Sequence, residues 1–305
     1  MLLKLSAVLK TFALLLAIKV FPVAADDQPL PVSPQRFFMG IYYPSIANLV
    51  TRADFQVAIN VWLEEFSDPL QLTPTRAILF ENMDSLKQAF VAGELDFIMA
   101  PPLLLAKHID RSLLADGFVG TASDGTEYGM VLIARRDAGV QTLAQMRGKV
   151  LMLPKNDLLA ATFMDMLSLK TFRQHFRKVF KEIHTKKRES AVVLALFFKQ
   201  ADVGLSNAEV FNLMVELNPQ LQQSLAVLAK FPTKSPNYGY FHSDFPVHVR
   251  QAITEKVKEL NQQPRPQQVL QALRMVSLVP NAVDNLTVFD RLLDEYRSLE
   301  TGIKP

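Results

Sequence analysis

The chain has 305 residues, with 33 basic and 30 acidic side chains and no cysteine. A disulfide frame and a thiolate zinc site are therefore excluded. The small positive excess is matched by Lys4, Lys10 and Lys19 near the amino terminus, so the rest of the chain is charge-balanced and carries no nucleic-acid footprint.

Residues 1–25 read as a secretory signal peptide. Lys4 and Lys10 precede and flank a short apolar run, 11–18, and Val23-Ala24-Ala25 offers small residues for cleavage. The run is too short to span a bilayer, and Lys19 interrupts it; an uncleaved anchor is the alternative. Residues 26–35 form a Pro-rich polar lead-in. An apolar strand is expected over 37–43, ended by Pro44. Residues 53–66 repeat Phe55, Ile59, Trp62, Leu63 and Phe66 at helical spacing. A strand over 75–80, a helix over 85–92 closed by Gly93, and a strand over 96–99 follow. This alternation predicts a parallel sheet with right-handed crossovers.

A helix starts at 103, and strands are expected over 117–121 and 130–135, the second crossing into another lobe. A short helix over 142–146, a strand over 149–153, a helix after Asn156-Asp157 and a strand over 179–183 come next. Helix 208–217 and a return strand over 224–231 complete that lobe. Pro232, Pro236 and Gly239 mark the way back to a helical tail at 247–260, 266–275 and 286–299, expected to pack on the first lobe. Phe172, Phe176 and Phe180 are spaced i, i+4, i+8, which predicts one helix with an apolar stripe inside. The basic residues between Lys170 and Arg188 then form its solvated outer face, docking on an acidic partner or an anionic membrane being the alternative.

One phrase occurs twice. Residues 83–102 and 188–207 each read as a short amphipathic helix, a turn, an Asp (Asp96, Asp202), and an apolar strand running into a loop. A repeated helix–turn–Asp–strand unit predicts two similar α/β lobes with a cleft between them. Expected limits are 26–127 with 236–305 for lobe one, and 128–235 for lobe two.

Ligands of open parallel sheets sit beyond the carboxyl ends of strands. That rule selects Tyr42, Tyr43, Ser45, Asn82 and Pro101 in the first lobe, and Lys155, Asn156, Asp157, Ser206 and Asn207 in the second. Tyr128 and Tyr238 lie near the crossovers. Each tyrosine also fits plain packing, and Asn156-Asp157 also fits an ordinary helix cap. The five histidines show no metal spacing, and His242-Ser243-Asp244 is no triad, because a triad needs spatial rather than sequential adjacency. No phosphate-binding glycine motif or nucleophile elbow is present.

Four phrases in order carry a resemblance. They are Ala92-Gly93-Glu94-Leu95-Asp96-Phe97 with Pro101, Glu127-Tyr128-Gly129-Met130 through Val140, Leu143 through Val150, and Phe198-Lys199-Gln200-Ala201-Asp202. From Phe37 to the tail the chain resembles the exported binding proteins of phosphate, phosphite and phosphonate uptake systems. The resemblance implies a type II periplasmic-binding-protein clamshell, each lobe a mainly parallel sheet flanked by helices, with a helical tail. It implies a periplasmic protein which captures a small anionic ligand for a membrane permease. A same-fold sensor reporting to a membrane kinase or cyclase is the alternative. The sequence shows no clustered acid–base pair, metal set or activated nucleophile, so a non-enzymatic protein without a cofactor is expected, and a monomer. The family's Ser-Thr-Ser-Gly-like turn, suited to a phosphoryl group, is replaced here by Leu153-Pro154-Lys155-Asn156-Asp157. The family's Ser-His seat falls near Arg188, Glu189 or Ser190.

Overall fold

Two runs of alternating strands and helices, each ending in an apolar strand held by an aspartate, build two sheets. The computed structural model describes residues 35–45, 51–121, 128–272 and 275–302; the expected leader 1–25 lies outside them. In chain order come β1 (Phe37–Tyr42), α1 (Arg52–Ser67), β2 (Thr75–Phe80), α2 (Met83–Val91), β3 (Phe97–Ala100), α3 (Pro102–His108) and β4 (Leu114–Thr121). Next are β5 (Tyr128–Arg135), β6 (Val150–Pro154), α4 (Leu158–Phe172), α5 (Phe176–Val179), β7 (Glu182–Lys186), α6 (Glu189–Phe197), β8 (Val203–Asn207), α7 (Ala208–Leu217), α8 (Pro219–Ser224) and β9 (Leu225–Thr233). The chain then runs through β10 (Tyr238–His242), α9 (Val247–Leu260), α10 (Pro264–Ala272), β11 (Ser277–Asn281) and α11 (Thr287–Thr301).

The first sheet has the order β11-β4-β10-β3-β1-β2 and the second β7-β6-β8-β5-β9. In the first, β1 to β4 share one direction, with β10 and β11 antiparallel to their neighbours; in the second only β5 runs against the rest. The triplets β2-β1-β3 and β7-β6-β8 are the same parallel unit built twice.

The two repeated aspartates hold those units in the same way. Asp96 N–H donates to Phe38 O (2.8 Å), and its carboxylate accepts from Phe38 N–H (2.8 Å). Asp202 does the same to Val150, at 3.0 Å in both directions. Arg36 lies 3.7 Å from Asp96 and Arg135 lies 3.6 Å from Asp202. The preceding turns also match. Gly93 has φ 68° and Lys199 φ 60°, and each is followed by an N–H that bonds back into the helix, Glu94 to Ala89 O and Gln200 to Ala195 O. The left-handed turn favours glycine, so Lys199 carries strain that Gly93 does not.

An aromatic core lies between the first sheet and α1, α9 and α10. Phe37 meets Phe66 edge-on at 5.4 Å, Phe97 meets Phe241 edge-on at 5.0 Å, and Phe241 stacks on Phe245 at 5.8 Å. Such pairs each add about 0.5–1.5 kcal/mol beyond burial.

Three expectations change. Residues 170–188 are not one helix. α4 stops at Phe172, Arg173 takes the left-handed C-cap, and α5 is a single turn before β7. The Asp165 carboxylate accepts the Phe176 N–H at 3.0 Å, and this tertiary bond restarts the chain against the local periodicity. The strand expected over 179–183 therefore lies at Glu182–Lys186. The tail contains a strand, β11, which pairs with β4. α9 packs on the first sheet's core, as expected, whereas α11 contacts both α3 and α4.

Candidate functional site

The carboxyl ends of β1 and β3 face those of β6 and β8 across a cavity of about 40 Å³. Tyr42, Pro44, Pro101, Pro102 and Leu103 line it from the first sheet's side, and Asp157, Leu159, Asn207 and Glu209 from the second. Tyr128, Gly129, Phe231, Thr233 and Pro236, from the two crossing segments, close it. Gly129 has φ 114°, and a side chain there would strike the Phe231 carbonyl, so the crossing needs a glycine.

The amino terminus of α4 points into this region, and its amides are engaged by the chain itself. Leu158 N–H bonds the Tyr42 hydroxyl. Ala160 N–H donates to Asp157 Oδ1 at 3.0 Å, and Leu159 N–H also reaches that carboxylate. Asp157 is thus a helix N-cap, its sequence position between a strand and an apolar helix being the signal for one. Burial raises its pKa, with the cap bonds opposing. Burial, then the nearby Asp157 charge, lifts the Tyr42 hydroxyl to about 12.

Behind Asn207 sits Glu189, 1% exposed. It accepts from Asn207 N–H, from Asn207 Nδ2 at 2.7 Å and from Ser206 Oγ at 3.3 Å. Burial, followed by the charge of Asp157, raises its carboxyl to about 8. The sequence marks Glu189 by its place near the family's Ser-His seat and as an acid in a helix's first turn, an ordinary place for one; its convergence with Asp157 depends on how α4 and α6 sit on β6 and β8.

Of the residues selected from sequence, Tyr42, Pro101, Tyr128, Asp157 and Asn207 line the cavity. Ser206 is fully buried beneath it, bonded to Glu189. Asn82 caps α2 through Ser85 N–H. Tyr43 lies under the Arg52 guanidinium, and the Ser45 side chain is outside the described residues. Lys155, Asn156 and Arg188 are exposed, and Ser190 is half-buried in α6. Tyr238 is a core residue, edge-on to Phe289 at 6.1 Å. Glu209, in the first turn of α7, and Phe231, Thr233 and Pro236, in the return crossing, join the site without having been singled out as site residues, because they meet only through long-range packing.

A second, apolar cavity of about 90 Å³ lies within the first sheet's core and shares Tyr128, Glu209 and Pro236 with the cleft. Among the described residues, the buried oxygens without a hydrogen-bond partner include Thr233 Oγ1 in the cleft lining and Asn237 Oδ1 in that of the apolar cavity. Among the described residues one set of metal-ligand types converges: Asp165, His175 and Glu300, with ligand atoms within 4.8 Å of one another. Asp165 already accepts from Phe176 N–H and the Tyr296 hydroxyl and bonds His175 Nδ1, so this set acts as a brace between α4 and α11.

Two α/β sheets with a small cavity between their strand ends define the two-lobed solute-binding class. Residues 51–286 match the family described as ABC transporter, phosphonate, periplasmic substrate-binding protein. The chain belongs to that family, whose members are transport-associated binding proteins rather than enzymes. No curated protein matches it in sequence. The binding-protein component of an ABC phosphonate transporter from Pseudomonas aeruginosa shares the fold with a TM-score of 0.66 at 15% identity, over 89% of this chain and 90% of that one. A Xanthomonas citri protein bound to chloride ion gives 0.69 at 10% identity, over 87% and 98%. A Prochlorococcus marinus protein in complex with methylphosphonate gives 0.61 at 13% identity, over 86% and 100%. These likenesses place the fold as the type II clamshell. No helix among the described residues is long and apolar enough to cross a membrane.

Proposed function

We propose that the chain is an exported, monomeric, non-enzymatic binding protein that captures one small solute in the cleft and presents it to the membrane permease of an ABC transporter. The observation that carries this reading is the cavity lined by strand ends of both sheets, the place where ligands of open α/β sheets bind. Lobe one is then 26–127 with 236–305 and lobe two 128–235, a division supported by sheet membership. Residues 1–25 direct export to the periplasm. Closure of the two lobes on a ligand is the movement such a hinge permits.

The family offers a phosphate-, phosphite- or phosphonate-like anion as the ligand, with support from the methylphosphonate held by the Prochlorococcus protein. The exposed Lys155 beside the cleft favours it, and the Asp157 carboxylate opposes it.

A thermal-shift screen tests solute capture. The panel is phosphate, phosphite, phosphonates, sulfonates, amino acids and polyamines. A ligand at a hundred times its Kd stabilises the folded chain by about 2.7 kcal/mol, a shift of several degrees. A flat response across the whole panel would contradict the reading.

A further inference from the structure

At the amino terminus of α4, where the resemblance would seat a phosphoryl group, three successive N–H groups are already used. Leu158 serves Tyr42, and Leu159 and Ala160 serve Asp157. An oxyanion there would have to displace a hydroxyl and a carboxylate of the chain itself, and sit beside that carboxylate's charge. The described cavity lining holds Asp157 and Glu209 and no Lys, Arg or His. Glu189 places a third carboxyl one residue behind, on Asn207.

The unpartnered oxygens point the same way. Asn237 is 7% exposed, and its Oδ1 can only accept a hydrogen bond. Thr233 Oγ1 can accept one too. A ligand that brings N–H donors satisfies both, whereas a fully deprotonated oxyanion has no donor for Asn237 Oδ1. Tyr42, Tyr128 and Phe231 add aromatic rings to the same lining, which suit a cation. Past Tyr128 and Pro236 the space continues into the apolar cavity, with room for a small hydrocarbon group and no water-like environment to offer a second charge.

We propose that the cleft takes a protonated amine bearing a small apolar group, with the ammonium among Asp157, Glu209 and Asn237 and the apolar group in the cavity of the first sheet. This rests on the reading of the cleft as a solute site and changes only the chemistry of the solute.

Isothermal titration of the purified chain with benzylamine, n-butylamine, methylphosphonate and inorganic phosphate tests it. At least one amine binds one-to-one, at least tenfold more tightly than either phosphorus compound. Asp157→Asn weakens that amine at least tenfold. The variant keeps its fold, because Asn and Asp cap helices about equally well. The amine's affinity rises between pH 6 and pH 8, by up to about tenfold per unit, as Glu189 ionises in a setting faced by Asp157, Glu209, Ser206 and Asn207. Tighter binding of methylphosphonate or phosphate than of both amines, or a gain in phosphonate affinity in Asp157→Asn, would overturn the amine assignment and leave solute capture standing. Failure of all four compounds to bind would overturn the amine assignment, while solute capture stands or falls with the wider thermal-shift panel.

Discussion

Asp96 and Asp202 mark the repeated unit in the sequence, one per lobe. Each ties the strand of its repeat to the start of the neighbouring strand, through the same pair of bonds to Phe38 and Val150. Asp202→Ala leaves the Val150 N–H without its acceptor and should lower stability by about 1–3 kcal/mol. Urea unfolding measures the loss, while ligand affinity should stay unchanged; a binding defect without a stability defect would contradict the structural role. Lys199→Gly should raise stability by about 0.5–1 kcal/mol, since it relieves a left-handed lysine and gives up only an exposed pair with Asp137. Glu189 carries the pH dependence. Its carboxyl moves from an ordinary 4.5 to about 8. Between those values the folded chain keeps a proton that the unfolded chain has released. Stability therefore falls as pH rises through this window, by up to about 1.4 kcal/mol per unit, and levels off above it. Glu189→Gln, which retains an acceptor for Asn207 and Ser206, should flatten the curve between pH 5 and pH 8. Parallel urea-midpoint curves for the two proteins would show that Glu189 is not the titrating group.

The repeated elements are legible because each is local. Helical spacing, a glycine or lysine turn and an apolar strand fall within about twenty consecutive residues, and both copies fold as the sequence implies. Elements made by distant partners are not legible in this way. β10 is wedged between β3 and β4, and β11 is the edge strand on β4; their short stretches, Tyr238–His242 and Ser277–Asn281, have no strong alternation of their own. The spacing of Phe172, Phe176 and Phe180 misleads for the opposite reason. A local helical pattern is present, but Asp165 captures the Phe176 N–H and breaks it. That aspartate also anchors α11 through Tyr296, at 2.9 Å. Asp165→Ala should therefore cost about 2–3 kcal/mol, more than Tyr296→Phe, for which about 1 kcal/mol is expected, both read from urea midpoints. Equal costs would mean that the Phe176 bond contributes nothing.

For the whole molecule, the clamshell follows from repetition, and the cleft follows from where two parallel units end. Tyr42, Pro101, Asp157 and Asn207 were recoverable from that rule, because strand ends can be found by pattern, and Tyr128 from its place at a crossover. Glu209, Thr233 and Asn237 were not, because their meeting depends on how the crossing segments and α7 pack, and Glu189 was placed only through the resemblance, near the Ser-His seat. The charge of the cleft could be read only once these were assembled. The decisive measurement is an isothermal titration of the same ligand panel against the wild-type chain and Thr233→Met. Methionine at 233 extends the side chain into a cavity of only about 40 Å³. Solute capture between the sheets predicts one-to-one binding by the wild type and its loss in the variant, with the variant still folded by circular dichroism. Undiminished binding in Thr233→Met would place the ligand elsewhere and contradict the account.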